Sequence, residues 1–179
     1  MRLGIRTLAA AAAAFAAAAC GGDESAQAPA AGAAPSSPPA YRTTPVAEGL
    51  ATPWSLAFLP DGAMLVTERA GRLRVIRDGK LEPEPVAGVP PVYAEGQGGL
   101  FDVALHPGFA SNGLVFLSYA NGTSDANATR VARARFDGRS LQDLQVIFEA
   151  SPKKNTTAHF GGRLLFLPDG TLLVTDLVA

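Results

Sequence analysis

Leu56-Ala57-Phe58-Leu59-Pro60-Asp61-Gly62-Ala63-Met64-Leu65-Val66-Thr67 returns, barely altered, as Leu164-Leu165-Phe166-Leu167-Pro168-Asp169-Gly170-Thr171-Leu172-Leu173-Val174-Thr175. Each copy is an apolar run, a Pro-Asp-Gly turn and a second apolar run. Between them, Val103-Ala104-Leu105-His106-Pro107 and Leu114-Val115-Phe116-Leu117-Ser118-Tyr119 make a looser third copy. The prolines at 60, 107 and 168 lie 47 and 61 residues apart. A unit of about fifty residues holding several short strands is the signature of a β-propeller blade.

Counting strands outward from these repeats gives the architecture. The first unit offers Trp54–Leu59, Met64–Thr67, Leu73–Arg77 and a weak fourth strand near Pro85–Ala87. The second offers Leu100–Leu105, Leu114–Tyr119, Thr129–Phe136 and Leu144–Glu149. The third has Arg163–Leu167 and Thr171–Thr175. Asp61-Gly62, Asp78-Gly79 and Asp169-Gly170 suit tight hairpins, because both residue types tolerate positive φ. Ala132, Ala134 and Phe136 alternate with Val131, Arg133 and Arg135, the period of a half-exposed strand. No sustained helical period follows Ala40. The expected fold is all-β, a propeller of four-stranded blades with about two and a half blades present. Two and a half blades leave edge strands unpaired and faces uncovered. The chain is therefore expected to be part of a longer propeller, and insoluble or molten by itself.

The N-terminal segment is of another kind. Arg2 and Arg6 precede a short alanine-rich stretch, Leu8 to Ala19, too short to span a bilayer and ending in small residues. Residues 1–20 read as an export signal. The single cysteine, Cys20, follows Ala17-Ala18-Ala19 and resembles a lipoprotein box, where it would be acylated; an ordinary signal peptide with an incidental cysteine is the alternative. One cysteine also precludes an internal disulfide. Residues 21–40, rich in Ala, Pro, Ser and Gly, read as a flexible tether. Residues 41–179 remain for the propeller. The expected location is the periplasm, with a lipid anchor in the outer membrane as the sole membrane contact. Loss of Arg2 and Arg6 leaves 13 basic against 16 acidic residues, about −3. That balance disfavours nucleic acid and anionic membrane surfaces as partners.

Two polar side chains stand out within the repeats. Gln97, in Gly96-Gln97-Gly98-Gly99-Leu100, precedes Pro107 by ten residues, and His159, in His159-Phe160-Gly161-Gly162-Arg163-Leu164, precedes Pro168 by nine. Both fall in loops that lead into the first strand of a blade. In a propeller that strand lines the central channel and the loop lies at its mouth, so adjacent blades aim both residues at one place. The surrounding glycines permit positive φ and close backbone approach, suited to a flat ligand against main chain. Imidazole titrates near neutrality and can take a proton from an alcohol while a hydride leaves. A purely structural hydrogen-bonding role for His159 is the competing reading. His106, beside Pro107, reads as solvated structure. Lys153-Lys154 reads as a solvated loop that could attract an anion, and Arg130, Arg133, Arg135 and Arg139 as a solvated face. Asn121-Gly122-Thr123 and Asn127-Ala128-Thr129 fit a glycosylation pattern but read as hairpin loops.

From about Thr52 to Val174 the chain resembles the pyrroloquinoline-quinone (PQQ)-dependent sugar dehydrogenases, the soluble glucose and aldose sugar dehydrogenases also called glucose/sorbosone dehydrogenases. The motifs are Pro53-Trp54-Ser55-Leu56-Ala57-Phe58-Leu59-Pro60-Asp61-Gly62, Thr67-Glu68-Arg69-Ala70-Gly71-Arg72-Leu73, Gly96-Gln97-Gly98-Gly99-Leu100 through His106-Pro107, and His159-Phe160-Gly161-Gly162-Arg163-Leu164. The resemblance implies a six-bladed propeller with the quinone at the channel mouth. It implies that His159 is the general base on the sugar C1 hydroxyl and that Gln97 contacts the quinone. Hydride would pass from C1 to the quinone, giving a lactone, with calcium polarising the quinone oxygens. An aldose and a further electron acceptor are the implied partners. Calcium ligands and the basic residues that hold the quinone carboxylates would lie in later blades.

One position departs from the family. Where the family pattern has an aspartate that orients the base, this chain has Val178. Asp176, two residues earlier and on the same strand face, could substitute; a divergent or shifted reading of the last four residues is the favoured alternative, and the family aspartate is not carried over. Two other functions compete with the dehydrogenase. One is a non-catalytic exported propeller that binds a glycan or a protein partner. The other is a calcium-binding propeller lactonase, whose compact Glu-Gly-Pro-x-Trp is interrupted here by Leu50-Ala51-Thr52 between Glu48-Gly49 and Pro53-Trp54.

Overall fold

The computed structural model describes residues 41–176. The export signal, Cys20, the tether and Val178 lie outside the described residues. Ten strands form three antiparallel sheets. The first blade holds β1 (Pro53–Phe58), β2 (Met64–Glu68), β3 (Arg72–Arg77) and β4 (Lys80–Leu81), in that spatial order. The second holds β5 (Leu100–Leu105), β6 (Leu114–Gly122), β7 (Asn127–Phe136) and β8 (Leu141–Glu149). A pair, β9 (Leu164–Phe166) and β10 (Leu172–Val174), begins the third. The chain is an all-β propeller of four-stranded blades.

The turns follow their chemistry. Asp78 and Gly79, at φ 51° and 72°, close a two-residue hairpin in which Arg77 faces Lys80, as the right-handed twist of paired strands favours. The two Pro-Asp-Gly sequences make a longer loop. In each, the leucine N–H bonds across the turn, Leu59 to the Ala63 carbonyl and Leu167 to the Thr171 carbonyl, both at 2.8 Å. A glycine at φ 85° completes both loops. The fourth strand of blade 1 is Lys80–Leu81, not a strand near Pro85–Ala87. Pro83 and Pro85 supply no N–H, and past Leu81 only the N–H groups of Glu82 and Val86 reach β3, on the Val75 and Leu73 carbonyls. The one helix among the described residues is the short α1 (Phe109–Asn112), inserted where blade 2 has no Pro-Asp-Gly turn.

β5 lies between its neighbours, against β1 and β2 on one side and β9 on the other. Leu100 to Val103 are consequently all buried. The main core joins Leu65, Leu73 and Val75 of blade 1 to Leu100, Val115, Leu117 and Tyr119 of blade 2. On β7 the alternation appears as expected from Ala132 onward, with Ala132, Ala134 and Phe136 buried and Arg133 and Arg135 exposed. Val131 is buried as well, under Leu164 of the third sheet. Leu56 and Phe58 on β1, and Leu165 and Leu173 on the third sheet, are exposed apolar side chains, 51%, 68%, 60% and 46% accessible.

A hydroxyl recurs at one position of the repeat, within β2 and β6 and just past β10, and in the first two it ties successive blades. Thr67, Ser118 and Thr175 each accept an N–H from their own first strand, from Ser55, Asp102 and Arg163, at 3.0, 3.0 and 2.9 Å. Thr67 then donates to the Phe101 carbonyl of blade 2 at 2.6 Å. Ser118 likewise donates to the Gly162 carbonyl leading into β9. Repetition in sequence thus becomes repetition in hydrogen bonding.

Candidate active site

Asp102 fixes how the three first strands sit beside one another. Its carboxylate is buried on β5 and accepts the Ser55 hydroxyl from β1 at 2.5 Å and the Leu164 N–H from β9 at 2.8 Å. The Val103 N–H adds a third bond at 2.9 Å, and the Arg163 guanidinium lies 3.8 Å away. Above this bridge lies an aromatic layer, Trp54, Phe101 and Phe160, with centroids 5.6 and 5.7 Å apart. Each end carries a cation, Arg163 over Trp54 at 4.5 Å and Lys154 over Phe160 at 3.8 Å.

Gln97 and His159 occupy the loops leading into β5 and β9, and the fold brings them into contact. The His159 N–H donates to Gln97 Oε1 at 2.8 Å, and the Gln97 N–H donates to the Thr157 carbonyl at 2.8 Å. Both side chains are exposed. His159 stands at φ 62°, a left-handed conformation that a residue with a Cβ adopts at a cost. Its imidazole makes no hydrogen bond among the described residues, and neither does Gln97 Nε2. The site therefore offers one amide donor and one free imidazole on fixed main chain. His159 also borders a cavity of about 660 Å³ lined by Asp125, Asn127, Lys154 and Asp176.

The glycines adopt positive φ at Gly96, Gly99, Gly161 and Gly162, and they allow close approach as the sequence suggested, but of other loops rather than of a flat ligand. A Cβ on Gly96 would come within 2.6 Å of Thr157, one on Gly98 within 2.4 Å of the Tyr93 carbonyl, and one on Gly99 within 2.3 Å of the Arg69 carbonyl. Gly161 and Gly162 are equally filled, by Thr175 and Phe101 at 2.7 Å. Protein atoms occupy the space, so these glycines pack loop against loop rather than clear room for a ligand.

Other residues also take definite places. His106 is half-buried rather than solvated: its Nδ1 accepts the Gly108 N–H and faces the Asn112 amide, both at 2.9 Å, and its ring packs on Phe116 and Phe166. Asn127 is fully buried in β7, not in a hairpin loop. Lys153 pairs with Glu149 at 3.0 Å. Lys154 is held over Phe160 with its ammonium on the His159 carbonyl, so it is not a free anion-attracting charge. Burial pushes the Lys154 ammonium down from its ordinary pKa, and the Asp176 carboxylate opposes that shift. Asp176 shares the cavity with His159, but no hydrogen bond joins them. Among the described residues no group of three His, Cys, Asp or Glu side chains converges to hold a metal ion.

Two residues central to this geometry stand inside the family motifs, yet nothing in the sequence gives them a role. Asp102 is one, and its only signal was a carboxylate in an otherwise apolar strand. Arg69 is the other, in Thr67-Glu68-Arg69. Its Nη1 reaches the carbonyls of Ala94, Gly96 and Gly98 at 3.0, 2.8 and 3.0 Å.

Comparison with known proteins gives the family. The Glucose / Sorbosone dehydrogenase family model matches residues 50–176. The aldose sugar dehydrogenase YliI of Escherichia coli is 41% identical over 143 residues, covering 78% of this chain and 38% of that enzyme. A crystal structure of glucose dehydrogenase superposes with a TM-score of 0.70 at 44% identity, over 74% of this chain and 40% of that one. The PQQ-bound form of an aldose sugar dehydrogenase from Streptomyces coelicolor superposes at 0.62 with 33% identity, over 72% and 39%. The chain thus spans about two fifths of the length of these relatives. From the first strand of blade 1 to the end of β10, the chain belongs to the glucose/sorbosone dehydrogenase family.

Proposed function

We propose that this chain forms one wall of the active site of a PQQ-dependent sugar dehydrogenase, which in its complete ring oxidises an aldose at C1 to the lactone. The observation that carries the proposal is the pair Gln97–His159, joined at 2.8 Å between the loops that lead into β5 and β9. When bound, the quinone supplies the hydride acceptor, with calcium held by residues of later blades. The donor set fits such a group: Gln97 Nε2 is an exposed amide donor that an acceptor oxygen on a ligand would satisfy. His159 presents an unpaired imidazole whose ring nitrogen takes the proton of the C1 hydroxyl as its hydride departs. Its main-chain N–H on Gln97 Oε1 ties the two loops together. Cys20 is the proposed lipidation site, anchoring an exported protein at the periplasmic face of the outer membrane.

The test reconstitutes the protein carrying the complete ring with quinone and calcium, supplies an aldose and follows reduction of an acceptor dye. His159→Ala is expected to abolish turnover while leaving the quinone bound. Turnover retained in that variant would remove His159 as the base. Failure of the unaltered protein to bind quinone at micromolar concentration would favour the non-catalytic propeller that binds a glycan or protein.

A further inference from the structure

We propose that Arg69 is a positioning residue of this site, acting through the Gln97 loop on His159. The proposal rests on the functional reading of Gln97 and His159. Arg69 leaves the end of β2 in blade 1, yet every polar contact of its guanidinium is with the loop of blade 2. Nη1 lies 2.8 to 3.0 Å from three carbonyls, those of Ala94, Gly96 and Gly98, which bracket Gln97 on both sides. Its main chain is fixed as well, with the Arg69 N–H on the Thr52 carbonyl at 3.0 Å and its carbonyl accepting the Leu100 N–H at 2.9 Å.

Three carbonyl oxygens pointing inward at one spot repel one another unless a donor sits among them. A guanidinium among them offsets that repulsion: the two N–H bonds of Nη1 are shared by the three carbonyls, and charge-assisted bonds are the stronger kind. Without it the three inward carbonyls lose their shared donor, and only the Gly98 N–H on the Glu95 carbonyl and the Gln97 N–H on the Thr157 carbonyl still hold the Ala94–Gly98 turn. Gln97 lies within that turn, so its backbone and side chain move with it. The effect passes on because Gln97 Oε1 holds the His159 N–H at 2.8 Å. His159 is in a left-handed conformation, at φ 62°, which persists only where surrounding bonds over-determine it. The order of dependence runs from Arg69 to the turn, to Gln97, and to the imidazole, across two blade boundaries. Among the described residues Arg69 makes no hydrogen bond to the Gln97 side chain or to His159.

The experiment uses the protein carrying the complete ring and compares Arg69→Met, which keeps the stem but no donor, with Arg69→Lys. Hydrogen exchange of the Gln97 and His159 amides is read alongside kcat and KM for an aldose, far below the melting temperature of each variant. Arg69→Met is expected to exchange both amides about tenfold faster, the scale of one lost hydrogen bond. Its kcat is expected to fall about ten- to hundredfold, the scale of a misplaced catalytic group. KM should stay within about threefold, because the aldose is not bound by Arg69. Arg69→Lys, whose ammonium has three donors but a shorter overall reach than the guanidinium, should lie between Met and wild type in both readouts. A folded Arg69→Met with wild-type exchange at His159, or with wild-type kcat, overturns the proposal. If Arg69→Met does not fold, Arg69→Gln takes its place, with the same expected changes and the same overturning results. If the unaltered protein shows no quinone binding, the functional reading fails, and the exchange measurement still decides the clamp.

Discussion

The side-chain carbonyl of Gln97 accepts the main-chain N–H of His159 at 2.8 Å, joining two loops 62 residues apart in sequence. A backbone N–H can only donate, so the atom facing it must be Oε1 and the amide group is turned outward. The orientation of Gln97 is thereby fixed by chemistry. Whatever binds beside it meets a donor.

Gln97→Glu separates the two functions of this side chain. The carboxylate keeps an acceptor for the His159 N–H and loses the outward donor. Quinone affinity, followed by titration, is expected to fall about tenfold for the lost hydrogen bond, while exchange of the His159 amide stays slow. Gln97→Leu should lose both. Equal exchange in the two variants would show that Gln97 does not hold His159.

Asp102 is the carboxylate that three first strands share, and its removal leaves the Ser55 hydroxyl and the Leu164 N–H without a buried partner. Asp102→Ala is expected to cost about 2–4 kcal/mol, the scale of stranding two neutral hydrogen-bonding groups that faced a carboxylate. Urea unfolding measures it. A loss below about 1 kcal/mol would mean that water replaces the bridge.

Thr67→Val keeps the shape of the side chain but deletes the bond to the Phe101 carbonyl and the acceptor for the Ser55 N–H. Ser118→Ala does the same one blade on. Each should destabilise by about 1–3 kcal/mol, the cost of stranding buried backbone groups. Because both serve the same kind of seam, similar values are expected from thermal unfolding. A neutral pair would show that the seams are held by apolar packing alone.

Glu68 couples stability to acid. Burial opposes ionisation of its carboxyl, but the Ala51 N–H at 2.6 Å and the Arg72 and Arg74 guanidiniums overcome it and hold its pKa below the usual carboxylate value. A depressed folded-state pKa means that the unfolded chain takes up the proton first as pH falls. The stabilisation is complete above the ordinary glutamate pKa and is lost as pH drops through the depressed value. Glu68→Gln should remove this part of the acid dependence, so its melting temperature converges on wild type at low pH. Parallel curves would place the acid sensitivity elsewhere.

Gly99 and Gly62 distinguish close approach from conformation. At Gly62, φ is 85° with nothing near the missing Cβ, whereas at Gly99 the Arg69 carbonyl would be 2.3 Å away. Gly62→Ala should cost about 1 kcal/mol for positive φ alone. Gly99→Ala should cost more than about 3 kcal/mol, because backbone must move, and it should disturb the Arg69 clamp as well. Similar costs at the two sites would contradict the close packing of blade 1 on blade 2.

The sequence by itself determined the repeat, and with it the propeller. Apolar runs around Pro-Asp-Gly set strand positions, because turn chemistry and the period of two are local properties. It also marked Gln97 and His159, since a polar residue at equivalent places of a repeat needs no three-dimensional information to be noticed. Tertiary structure decided what those residues touch. The weak fourth strand moved to Lys80–Leu81 because pairing depends on which donors face β3. His106 turned inward because Phe116 and Phe166 converge on it from two blades. The glycines became packing points because Arg69, Tyr93, Thr157 and Phe101 fill the space beside them. Asp102 and Arg69 act across blade boundaries, and a contact between segments distant in the chain leaves no periodic trace in the sequence.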